Sequence, residues 1–142
     1  MFTKTLWTTA LLALLAAPLA WAQAKGDHRT EDMRKHTKLG TAHGAAALCL
    51  QAPNADRAAC QKQLQADCKG LAVGPHCGLK SRPDEHKDLA QLIAEYEQMA
   101  RIHTTTAHCL STPKSYSDCQ AELRKACGGL GVGKYCGMRH AH

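Results

Sequence analysis

Leu89, Leu92, Ile93, Tyr96, Met99, Ala100 and His103 lie 3, 4, 7, 10, 11 and 14 positions beyond the first of them, the spacing of one stripe along an α-helix. The preceding "SRPDE" predicts where that helix begins, with Pro83 in its first turn and Asp84 and Glu85 complementing its dipole. Sixty residues earlier the same register reads Asp32, Met33, His36, Leu39, Gly40 and His43, so a matching long helix is expected there. Pro53 and Pro113 close the two long helices. A shorter helix follows each, over about residues 54 to 69 and 114 to 127, with Cys60, Leu64 and Leu71, or Tyr116, Cys119, Leu123 and Leu130, on one side. Gly70 and the pair Gly128 and Gly129 are expected to end these helices, because glycine enters the left-handed conformation without steric cost.

The two halves are copies of one another. Setting Cys49 on Cys109 brings Cys60 onto Cys119 after one gap, and then Cys68 and Cys77 onto Cys127 and Cys136. His43 meets His103, Leu50 meets Leu110, Leu64 meets Leu123, Val73 meets Val132 and Gly78 meets Gly137. The chain thus contains a tandem repeat, with units at residues 28 to 80 and 84 to 138. The expected fold is all-α: two tandem helical hairpins forming a four-helix arrangement, each with a short glycine-rich return tail.

Residues 1 to 24 read as a secretory signal peptide, from Lys4 through the apolar "LWTTALLALLAAPLA" to small residues suited to cleavage. Residues 25 to 142 then form a single domain with a short histidine-containing C-terminal tail. A domain of this size has a limited core, and eight cysteines in an exported chain predict four disulfides that supplement it. Helix geometry constrains their pairing. Cys60 and Cys68 are eight residues apart on one helix, roughly 12 Å, whereas bridged Cα atoms lie under about 7 Å apart. Cys49 therefore pairs across the hairpin with Cys60 and Cys68 with Cys77 in the tail, and by repetition Cys109 pairs with Cys119 and Cys127 with Cys136. The stretches "CQKQLQADCKGLAVGPHC" and "CQAELRKACGGLGVGKYC" resemble the cysteine-rich repeat modules of exported and lumenal proteins, over less than a third of the chain and with a shorter final spacing. That resemblance implies a disulfide-bonded helical module and no activity.

Removal of the leader takes away only Lys4 among charged residues and leaves 17 basic against 12 acidic side chains. Export argues against nucleic acid as a partner, and no later segment is apolar enough for stable membrane insertion. The expected location is periplasmic or secreted. The sequence carries no C-x-x-C, G-x-S-x-G, H-E-x-x-H or P-loop pattern, and all its cysteines are committed to bridges, so it does not read as an enzyme.

Histidine is the remaining chemistry, with nine in the chain. His36, His43 and His103 fall on the interior stripe, with Met99 beside them, and Met138, His140 and His142 end the second unit with no counterpart in the first. Neutral imidazoles and thioethers between helices are how bundles hold metal. The expected function is an exported metal-binding protein, with copper ahead of zinc, nickel or haem, acting as buffer, carrier or envelope-stress protein. The competing reading is a periplasmic protein-binding module, an inhibitor, immunity protein or adaptor, in which the histidines fill the core and an envelope protein docks on an outer face around Arg34, Lys35 and Lys38.

Overall fold

The computed structural model describes residues 17–71, 73, 74, 77, 78, 88–130, 132 and 135–138, with side chains from His28 onward. It is all-α, with α1 (Ala17–Gln51), α2 (Arg57–Asp67), α3 (Leu89–Ser111) and α4 (Tyr116–Leu130). α1 and α2 form one hairpin, α3 and α4 the other, and the two long helices α1 and α3 pack against each other.

Local chemistry sets the element ends, and several differ from the sequence expectation. Asn54 takes a left-handed φ of 61°, which asparagine tolerates, and Asp56 accepts a hydrogen bond from the Ala59 N–H as N-cap. α2 therefore starts at Arg57 rather than near Asn54. Ser115 does the same for α4, its hydroxyl accepting from the Asp118 N–H at 3.1 Å. α3 opens at Leu89 behind an extended Asp88, later than the "SRPDE" cue suggests, and Pro83, Asp84 and Glu85 lie outside the described residues. The C-cap of α2 is Cys68, with Gly70 left-handed just beyond it at φ 81°. Gly128 and Gly129 do not end α4: the helix runs through both to Leu130. α1 begins at Ala17, inside the predicted leader and ahead of residue 28.

The core lies between the long helices. α1 contributes His36, Leu39, Ala42, His43, Ala46, Ala47 and Leu50, and α3 contributes Leu92, Tyr96, Met99, His103 and Leu110. The small residues on α1 let the helices approach. A methyl at Gly40 would sit 2.6 Å from Thr104 Oγ1 and 3.3 Å from the Ala100 carbonyl, so any side chain there crowds α3, while Gly44 has ordinary contact distance to Ala100. At the far end, Arg29 spans the end of α3. Its Nε donates to the Leu110 carbonyl at 2.7 Å, and Nη2 donates to those of Thr112 and Lys114 at 2.7 and 2.9 Å, placing a cation on the negative end of the helix dipole.

Four disulfides fasten the short helices and tails: Cys49–Cys60, Cys68–Cys77, Cys109–Cys119 and Cys127–Cys136, with Cα separations of 5.8, 5.6, 5.7 and 5.1 Å. These are the within-unit pairings the helical rise requires, at ordinary disulfide spans. Four such bridges belong to an oxidising compartment, and among the described residues no helix is long and apolar enough to cross a membrane. Each tail reverses direction at its last cysteine and the glycine after it. Cys77 and Gly78 have φ of 55° and 87°, Cys136 and Gly137 have 50° and 77°. The two tails then cross, with Gly78 against Gly137 and Val73 bridged antiparallel to Met138.

Candidate metal centre

His36 and His43 are two turns apart on α1, and His103 faces them from the antiparallel α3. The register between the helices places Arg29 against Leu110, His36 against His103, and His43 against Tyr96. All three imidazoles and Tyr96 have no solvent exposure. The period of the sequence pointed these histidines inward, and the structure brings His36 and His43 each into ring contact with His103.

His36 Nδ1 and His103 Nδ1 are 2.9 Å apart, and the ring centroids are 5.1 Å apart. At that distance one nitrogen donates and the other accepts, so the two rings share a single hydrogen. The His43 ring stacks near that of His103, with centroids 5.7 Å apart and planes inclined by 25°. Its Nδ1 is 2.9 Å from the Leu39 carbonyl, which can only accept. Nδ1 therefore carries the proton and Nε2 keeps its lone pair, the arrangement in which a backbone carbonyl orients an imidazole that ligates through its other nitrogen. His43 Nε2, His103 Nε2 and the Tyr96 hydroxyl are buried with no hydrogen-bond partner among the described residues.

Burial disfavours positive charge on His43 and His103. Burial holds His103 well below the usual histidine range, and the neighbouring His36 and His43 add to the effect because two imidazolium ions in one dry layer repel. Burial also lowers His43, partly opposed by its hydrogen bond to the Leu39 carbonyl, by the nearby Cys77 backbone and by the charge of Glu95. Burial pushes the Tyr96 phenol up to about 12, with Glu95 adding to it and Arg57 opposing. Neutral imidazoles present lone pairs, which is the protonation state a metal needs.

Met99, one turn before His103, is fully buried, and a methyl at Gly78 would lie 3.2 Å from its Cε. The crossed tails thus close over the Met99 end of the layer. Met138 is buried in the second tail, where it pairs with Val73. His140 and His142 lie outside the described residues. Among the described residues no group of three or more His, Cys, Asp and Glu side chains forms a ready-made metal cage. The physical reason is visible in His43, whose Nδ1 is engaged by its own helix while the Nδ1 atoms of the other two rings face each other. The layer offers a close pair of nitrogens with a third imidazole and a thioether nearby.

Sequence reasoning singled out the histidines and Met99 but passed over Tyr96 as ordinary core. The repeat register held the signal, since Tyr96 occupies the place of His36. Comparison with protein-family models, curated proteins and solved structures gives no match.

Proposed function

We propose that this protein is an exported, periplasmic binder of a transition metal, copper first, which it holds in the buried layer as a buffer, carrier or envelope-stress protein. The observation that supports this most is the pair of fully buried imidazoles with Nδ1 atoms 2.9 Å apart, beside a third imidazole, His43, whose Nε2 is buried. Leaving His43 Nε2 buried and unpaired costs roughly 1 to 3 kcal/mol, a cost that ligation there removes. An ion about 2.0 Å from each nitrogen sets them roughly 3.3 to 4 Å apart, so opening the 2.9 Å pair by roughly 0.4 to 1.1 Å through small side-chain rotations admits it. Imidazole and thioether together suit cuprous ion, and with the disulfides committed to the scaffold they are the donors the core retains. In this reading the leader at residues 1 to 24 directs export, and His140 and His142 contribute to capture rather than to the buried seat.

Metal analysis of the oxidised protein after gentle purification from a periplasm tests the reading. The expected result is about one copper per chain, absent from a His36, His43, His103 triple alanine variant that retains its helicity. A wild-type protein that is folded, free of metal and indifferent to added copper would refute it and leave the partner-binding alternative.

A further inference from the structure

Two pairs of repeat mates touch each other. Gly78 lies against Gly137, and a methyl at Gly40 would meet the Ala100 carbonyl at 3.3 Å. Contacts between equivalent residues mark an approximate twofold axis relating the two units, so the other contacts between the units have counterparts across it. In repeat register Arg29 corresponds to Leu89, Leu110 to Leu50 and Thr112 to Ala52. The axis therefore carries the Arg29 fork at the end of α3 onto Leu89 at the end of α1. There the chain supplies a leucine where its other half has a guanidinium.

The end of α1 differs from the end of α3 in charge and in polarity. Its last turn contains no basic residue, and Gln51 in that turn donates to the Glu97 carboxylate at 2.8 Å, bringing a negative charge toward the negative end of the helix dipole. Arg101 meets the other oxygen of Glu97 at 4.0 Å. Leu48, also in the last turn, is 69% exposed and Leu89 43%, and Ala52 and Pro53, which follow the turn, are exposed as well. In the second unit the counterpart of Leu48 is His108, so the matching place there is polar. The basic face at Arg34 and Lys35 is a poorer docking surface, since Glu31 and Asp32 already pair with it.

We propose that the C-terminal end of α1, with Leu48 and Leu89, is a docking site for a partner protein that presents an arginine among apolar side chains. The guanidinium takes on α1 the place that Arg29 takes on α3, where Nε and Nη2 each donate to a carbonyl at 2.7 Å. A planar fork spans diverging carbonyls that a single ammonium cannot. Exposed leucines around such a polar centre match the composition of binding hot spots, in which arginine and large apolar groups are buried together. The site is separate from the buried histidines and stands whether or not they hold a metal.

Leu89→Arg supplies within the chain the group that the partner would bring. A displayed library of short random peptides is panned on the disulfide-intact wild type, and the enriched peptides are synthesised and titrated by fluorescence anisotropy against wild type, Leu89→Arg and Leu48→Ser. The expected peptides carry an arginine flanked by apolar residues, and changing that arginine to glutamine should weaken binding about tenfold or more. Leu48→Ser should cost a similar factor, roughly tenfold, and Leu89→Arg should abolish binding while raising Tm by about 3 °C. Enrichment of peptides without arginine, no enrichment at all, or undiminished binding to Leu89→Arg would overturn the proposal. If Leu89→Arg does not fold, Leu48→Ser and the glutamine peptides still decide, since Leu48 is exposed and its replacement leaves the core intact. Self-association in sedimentation velocity that is lost in Leu48→Ser, or binding to phospholipid vesicles lost in the same variant, would also overturn it, giving this end to a second copy or to a membrane.

Discussion

Alanine substitution should have opposite effects at glycines that look alike in the sequence. Gly78 and Gly137 sit where the tails cross, both left-handed, and a methyl on either would overlap the other tail's backbone: the Cys136 carbonyl for Gly78, the Gly78 Cα for Gly137. For Gly137→Ala the left-handed conformation costs about 1 to 2 kcal/mol for an L-residue, and relieving the overlap about 1 to 3 more. The expected loss is therefore about 3 kcal/mol, and roughly 10 °C or more in Tm for a domain of this size. Gly128 and Gly129, a few residues earlier, are helical, with nothing within 4 Å of an added methyl. There alanine removes the glycine penalty near a helix end and should stabilise by about 0.5 kcal/mol per site. Thermal and urea unfolding of the disulfide-intact variants measures both. Equal effects at residues 128 and 137, or a tolerated Gly137→Ala, would refute the crossing of the tails.

Stability of the metal-free protein should fall with acid. Folded His43 and His103 resist protonation through burial, so below about pH 6.5 the unfolded chain binds more protons than the native one. His103 alone then removes about 1.4 kcal/mol per pH unit, with little pH dependence from this source above pH 7. Urea midpoints between pH 8 and 5 measure the slope, which His103→Leu should reduce by about one proton; a flat wild-type profile would contradict the buried neutral layer. Arg29→Ala should cost about 2 kcal/mol by uncovering the carbonyls at the end of α3. Arg29→Lys should recover under half of it, because a point charge cannot span Leu110, Thr112 and Lys114 together; full recovery in denaturant melts would contradict the fork geometry.

What the sequence revealed and what it hid divide along the range of the interactions. The helical stripe through Leu92, Tyr96, Met99 and His103 and the cysteine pairings follow from rise and period within one unit, and both are local quantities. Arg29 gave no cue, because the carbonyls it caps belong to residues more than eighty positions away. Gly128 and Gly129 resembled a helix end, since glycine composition alone does not separate a cap from a helical turn that the Cys127–Cys136 bridge holds in place. The left-handed residues of the tails are Cys77 and Cys136 with the glycines that follow them, a placement set by the meeting of the two tails. The contact of Tyr96 with His43 emerges only when the antiparallel register of α1 and α3 is known.

The most direct test of the central claim separates the buried layer from the C-terminal tail. Anaerobic copper(I) titration would compare the wild type with His36→Leu, with His103→Leu and with a chain ending at Met138, each checked for helicity and four intact disulfides. The account predicts one tightly bound ion in the wild type and the shortened chain, and its loss in either core variant. Copper uptake that survives both core substitutions and disappears with residues 139–142 would contradict it.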